Sequence, residues 1–298
     1  MARYFNSKAA TSAVYGLGAL TAALAFLYGE GVWTKRAVGT TTDRPPSPDG
    51  LYGADLGGPT LNVLFLGDSA AVGYGMKDVQ HTPPAVLGET LAHVLDRPVY
   101  VRSRATVGAQ SRDLAEQINA GIRPWPDVAV CVIGTNDVTH IRPYKKAAEE
   151  LASAIQYLRA GGTKVVIGTT PDLGTIRMIP QPLRAISRAS SRYLAEKQTV
   201  AALNAGARTV SLGDLLGELF HEHPDRMFGF DNFHPSEEGY ANLVNVLLAP
   251  LVAAVRESEP LVSHEMTSVS KAAHEAVQNA GTEVTMTGKV ASLLRRRR

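Results

Sequence analysis

The stretch Leu61-Asn62-Val63-Leu64-Phe65-Leu66 runs straight into Gly67-Asp68-Ser69. A short, nearly unbroken apolar run closed by glycine reads as a strand covered on both faces of a sheet. It delivers a hydroxyl to the turn at its carboxyl end. The same grammar recurs down the chain. Val99–Arg102, Val128–Ile133, Lys164–Gly168 and Arg208–Leu212 are further β-rich runs. The segments Pro84–Leu95, Arg112–Gly121, Tyr144–Ala160, Leu183–Asn204 and Glu237–Arg256 carry helical character. Strand alternating with helix predicts right-handed crossovers and an α/β fold, a doubly wound three-layer α/β/α sandwich around a five-stranded parallel sheet.

Such a sheet collects its chemistry at the carboxyl ends of its strands, near the reversal of strand order. The residues just past each strand therefore carry the most information. After the first comes Gly67-Asp68-Ser69, after the second Thr106-Val107-Gly108, after the third Gly134-Thr135-Asn136-Asp137. Before the last helix stands Asp231-Asn232-Phe233-His234-Pro235-Ser236. Serine needs a base to attack a carbonyl at neutral pH. His234 has the chemistry for that base, and Asp231 sits at a spacing that lets it orient the other ring nitrogen. An oxyanion formed by the attack needs donors already aimed at it. The Ser69 and Gly108 backbone N–H groups and the Asn136 amide are the candidates, with Gly108 allowing close main-chain approach.

Composition narrows the classes. The chain has 298 residues, 45% of them hydrophobic and 19% charged, so it has material for a large core. Its single cysteine, Cys131, excludes an internal disulfide or a Cys-rich metal site and reads as a buried small hydrophobe. Lys and Arg number 30 against 28 Asp and Glu, and four of the basic residues are Arg295 to Arg298. The body is thus mildly acidic, which argues against nucleic acid as a partner.

The two ends stand apart from the core. Arg3 and Lys8 precede Ala9 to Gly29, a stretch without a charged residue, followed by Glu30, Lys35 and Arg36. About 20 such residues cross a bilayer core as a helix. Residues 1–36 are therefore expected to be a signal or membrane-anchor segment. Ala23-Leu24-Ala25 offers a cleavage site, whereas Phe26, Leu27 and Tyr28 prolong the apolar run as an uncleaved anchor would. The protein is expected to be exported, membrane-anchored on the extracytoplasmic side or secreted if cleaved. The Thr/Pro/Gly-rich residues 37–60 read as a linker, 61–258 as the catalytic domain, and 259–298 as a polar tail ending in four arginines.

The blocks Gly67-Asp68-Ser69, Gly108, Gly134-Thr135-Asn136-Asp137 and Asp231-x-x-His234-Pro235 make the chain resemble the GDSL/SGNH hydrolases, over roughly Leu61 to Arg256. The resemblance implies a flavodoxin-like five-stranded parallel sheet and a serine esterase or lipase-like mechanism. Ser69, Asp231 and His234 would be the catalytic triad, with Ser69, Gly108 and Asn136 at the oxyanion and no metal or organic cofactor. Ala70 replaces the leucine of the family's name, and Ser103-Arg104-Ala105-Thr106 lacks the asparagine often found before the block glycine.

Rival readings share parts of this set. An acyltransferase or deacylase acting on cell-envelope carbohydrate or lipid would use the same triad. A metal-dependent phosphoesterase would recruit His221-Glu222-His223 with Asp231 and His234. A non-catalytic anchored binding protein would have no need of an intact Ser69, Asn136, Asp231 and His234. His140, Arg142, Asp172, Phe228, Phe230 and Phe233 lie close enough to the blocks to shape a pocket for a small-molecule, lipid or carbohydrate ester. For Arg142 a surface position is the plainer expectation, and for the phenylalanines core packing.

Overall fold

The computed structural model describes residues 2–38, 45–256, 265–267, 274, 282–287 and 290–295. The first helix, α1 (Ala2–Ala37), leads to a short strand, β1 (Gly50–Tyr52), and then to the winding that the sequence predicts. That winding begins with β2 (Leu61–Gly67), α2 (Ser69–Val72), α3 (Pro83–Leu95) and β3 (Val99–Ser103). It continues through α4 (Leu114–Gly121), β4 (Val128–Val132), α5 (Thr135–Thr139), α6 (Tyr144–Ala160) and β5 (Lys164–Gly168). The second half holds α7 (Leu183–Asn204), β6 (Arg208–Val210), α8 (Leu212–Glu222), α9 (Pro224–Met227) and α10 (Glu237–Val255). Three strands come last, β7 (Glu265–Thr267), β8 (Thr282–Thr287) and β9 (Val290–Arg295).

The five expected strands lie parallel in the order β3-β2-β4-β5-β6. Strand order reverses at β2, so the crevice of a doubly wound sheet opens beyond the ends of β2 and β4. Side-chain alternation explains why the central runs are largely apolar. Val63 and Phe65 join one buried cluster with α3 and α10, while Leu64 and Leu66 join a second with α4 and α6. Val128, Val130 and Val132 face the first layer and Ala129 and Cys131 the second. A period of two with both faces covered leaves few polar positions in the central strands.

The sheet is wider than expected. Gly50–Tyr52, inside the segment read as a linker, pairs antiparallel with β3 and adds an edge strand. Strand β8 pairs antiparallel with β6, and β9 and β7 lie beyond it, so the segment read as a polar tail contributes strands. Of the terminal arginines, Arg295 closes β9, and 296–298 lie outside the described residues. α10 is apolar enough and long enough to span a bilayer. Its Leu243, Val244, Leu247 and Leu251 are buried against the sheet, which accounts for that composition. Helix α1 instead exposes residues 15–26 along their whole length and meets the domain through its last turns. There Glu30 Oε2 accepts the Leu183 N–H at 3.1 Å, capping the start of α7.

Candidate active site

Ser69 stands where β2 gives way to α2. The turn needs Gly67: its φ is +136°, and a Cβ there would lie 1.9 Å from the Val132 carbonyl oxygen. Gln117 brackets the same residue, accepting from its N–H and donating to its C=O, both at 2.9 Å. Asp68 caps α2 by accepting the Ala70 N–H at 3.0 Å. The serine is thereby held on a rigid strand end, 6% exposed. Its N–H belongs to the first turn of α2, whose donors have no acceptor inside the helix.

Burial pushes the Asp68 carboxyl up to about 6. The Ala70 N–H, the His234 ring and the Gly134 N–H oppose that rise, while Oδ2 closes no well-formed hydrogen bond among the described residues. The buried carboxyl next to Ser69 is thus held above its usual range.

The loop before α10 supplies the other two groups. Asp231 Oδ1 accepts the N–H groups of Phe233 (3.0 Å) and His234 (2.9 Å), an arrangement that its three-residue spacing makes local. Asp231 Oδ2 is left to meet His234 Nδ1 at 2.6 Å. His234 Nε2 then lies 2.9 Å from Ser69 Oγ, joining residues 165 apart in sequence. Burial would raise the Asp231 carboxyl, but bonds from the His234 ring and from the His234 and Phe233 N–H groups outweigh it and hold the group below its usual range. Ser236 Oγ accepts the Gly239 N–H at 3.1 Å and so starts α10 directly behind the histidine.

Gly108 and Asn136 come together through one loop. The Thr106 N–H donates to the Gly67 carbonyl at 3.0 Å, setting the 106–110 loop beside the Ser69 turn. Gly108 has φ +82° and open space where a Cβ would stand. Backbone conformation, more than close approach, makes glycine the fitting residue there. Asn136 Nδ2 donates one N–H to the Ala109 carbonyl at 3.1 Å, which fixes the amide and leaves its second N–H for another acceptor. Beneath it the fully buried Asp137 accepts the Ser111 N–H (3.0 Å) and hydroxyl (2.8 Å) and an Arg142 N–H (3.1 Å). Arg142 also grips Glu150 with two bonds, at 2.8 and 3.0 Å. Arg142 is therefore a largely buried tie between α5 and α6, where sequence reading placed it on the surface.

Other expected residues divide. Phe228, Phe233 and Asp172 line an apolar cavity that opens at Ser69 and His234. Phe230 is exposed beside Gly75, and His140 is exposed with Nδ1 2.9 Å from the Asn136 carbonyl. His221 and His223 are exposed at the end of α8, and among the described residues no three His, Cys, Asp or Glu side chains converge as a metal set. Sequence reading missed Tyr74, whose ring lies 4.4 Å from the His234 ring, and Tyr240, whose hydroxyl donates to the Tyr74 carbonyl. Neither carries a motif. It also missed the buried role of Asp137, although that residue closes one of the four blocks.

The GDSL-like lipase/acylhydrolase family model matches residues 65–241, from within β2 into α10. That span takes in all four blocks. The chain belongs to the GDSL-like lipase/acylhydrolase family. As a GDSL-like hydrolase it is a carboxylic ester hydrolase at the level of the family. It is 35% identical, over 254 residues and 81% of each chain, to a GDSL-like esterase of Mycobacterium tuberculosis. Its fold is similar to the crystal structure of a lipase/acylhydrolase from Enterococcus faecalis, with TM-score 0.50 and 18% identity. That match covers 68% of this GDSL-like chain and 100% of the other. At that identity the likeness concerns the fold alone.

Proposed function

We propose that the protein hydrolyses carboxylic esters through an acyl-enzyme formed on Ser69. The observation that carries this reading is the unbroken line Asp231 Oδ2–His234–Ser69 Oγ, with links of 2.6 and 2.9 Å. As Ser69 Oγ bonds to the ester carbonyl carbon, its proton passes to His234 Nε2. The charged ring is stabilised by Asp231, whose carboxyl is held in its ionised form. The carbonyl electron pair moves onto oxygen, where the Ser69 and Gly108 N–H groups and the Asn136 amide supply donors. Collapse expels the alcohol oxygen, which takes the proton from His234. Water then repeats the sequence: it gives a proton to His234, bonds to the acyl carbon and releases the acid, and Ser69 recovers its proton.

A fluorophosphonate, which phosphonylates an activated serine, tests this directly. Labelling at Ser69 that disappears in Ser69→Ala and His234→Ala supports the reading. Absence of labelling in the folded wild-type protein overturns it.

We read α1 as a membrane anchor that holds the hydrolase on the extracytoplasmic side. Support comes from the uncharged stretch Ala9 to Gly29 and from Tyr15, Leu17, Leu20, Leu24 and Phe26, which the described residues leave exposed. Retention of the full chain in alkali-washed membranes, with the domain open to protease from outside the cell, is the expected result. Release of a shortened chain beginning after Ala25 would make α1 a cleaved signal instead.

A further inference from the structure

Two concavities flank the catalytic line, and they differ in chemistry. One, on the side of Gly108, mixes the charged and amide groups of Arg104, Asp113, Glu116 and Gln117 with the small apolar surface of Val107 and Ala109. The other opens between Ser69 and His234 and has a volume of about 80 Å³. Its wall is built from Ala70, Leu173, Leu212, Leu216, Phe220 and Phe228. Phe220 and Phe228 meet edge to face at 5.1 Å and are nearly buried, so that part of the wall is closed. The one carboxylate on this lining, Asp172, is spent elsewhere: it accepts the Gly174 N–H at 2.8 Å and pairs with Arg188 at 3.3 Å.

We infer that this cavity binds the acyl half of the ester, that it limits the acyl group to about four carbons, and that Ala70 keeps it open. The inference rests on the acyl-enzyme reading above. Gly108 and Asn136 are absent from the cavity lining. A carbonyl at Ser69 Oγ can therefore send its oxygen toward those donors and its alkyl chain the other way. An apolar cavity of ~150 Å³ accepts a six-carbon ring. At about half that volume this one holds roughly three or four carbons. Ala70 is part of the cavity wall and contributes a single side-chain carbon to it. Leucine here would add three carbons to the wall and take up most of that space.

Chain-length profiles of p-nitrophenyl esters, from acetate to octanoate, test the inference. In the wild type kcat/KM should rise about fourfold per added methylene up to butyrate, as burial of each methylene predicts. It should fall at least tenfold by octanoate. Ala70→Leu should lower the butyrate-to-acetate ratio of kcat/KM at least tenfold. Leu216→Ala, which enlarges the cavity at another part of its wall, should move the upper limit to hexanoate. Each variant is first labelled at Ser69 with a small ethyl fluorophosphonate, which reports the nucleophile independently of chain length. Normal labelling with octanoate turned over as well as butyrate, or with profiles unchanged in both variants, overturns the acyl cavity and leaves the nucleophile standing. No labelling in the wild type removes the acyl-enzyme reading, and this inference with it.

Discussion

Tyr240, fully buried on α10, donates its hydroxyl to the Tyr74 carbonyl at 3.0 Å, across 166 residues of sequence. The Tyr74 ring lies 4.4 Å from the His234 ring, so the imidazole is backed by a residue that is itself bolted to the core. The expected consequence is a coupled loss. Tyr240→Phe removes the hydroxyl's bond to the Tyr74 carbonyl and should cost about 1 kcal/mol of stability. A several-fold drop in kcat should accompany it, because the imidazole loses its backing. Urea unfolding and steady-state kinetics on one preparation check both, and unchanged kcat would show that Tyr74 does not steady the ring.

Asn136→Ala removes one side-chain donor without touching the serine–histidine pair. Loss of a single oxyanion donor costs ~10²–10³ in kcat. That range is expected here, together with intact fluorophosphonate labelling. Full kcat at saturating ester would remove Asn136 from the oxyanion site.

Asp231→Asn keeps the shape of the loop but removes the charge opposite Nδ1. A loss of about 10⁴ in kcat is expected, the scale known for such a change in a serine triad. The folded Asp231 carboxyl is held low, so its pairing stabilises the protein above the unfolded carboxyl range near pH 3.8. That contribution is lost as pH falls through the still lower folded value. The wild type should therefore lose its stability advantage over Asp231→Asn only in strong acid, as melting curves across pH would record.

Asp68 has the opposite sign. Its folded carboxyl is raised from 3.8 to about 6 by burial. The neutral form is favoured, and its contribution to stability is complete below pH 3.8 and lost as pH rises through about 6. Asp68→Asn keeps a capping side chain for α2 and removes the titration. Relative to wild type the variant should gain on the order of 3 kcal/mol between pH 4 and pH 7. A stability difference that stays flat over that window would show that Asp68 does not titrate within it.

Arg142, Glu150 and Asp137 show why part of the site was hidden from the sequence. Asp137 was visible as the end of a block, but its task is to bind the Ser111 N–H and hydroxyl from a different loop. Arg142 looked like a surface residue because nothing in its neighbours announces burial. Its side chain is only 12% exposed, between two carboxylates. The edges of the sheet were hidden for a related reason. Gly50–Tyr52 is too short, and Thr282–Thr287 too polar, for apolar periodicity to mark them as strands. Pairing with β3 and β6 makes them so.

The amino-acid order alone determined the winding of the central sheet and singled out Ser69, Asp231 and His234 as candidates. Those signals are local: apolar runs that require cover on two faces, and loop spacings such as the three residues from Asp231 to His234. Tertiary structure alone decided that Ser69 Oγ meets His234 Nε2, that Tyr240 secures Tyr74, and that an 80 Å³ apolar space lies beneath them. Contacts between residues some 165 positions apart leave no periodic trace, because they depend on how the layers close. A cavity is written in no residue at all, only in the volume that its neighbours leave unfilled.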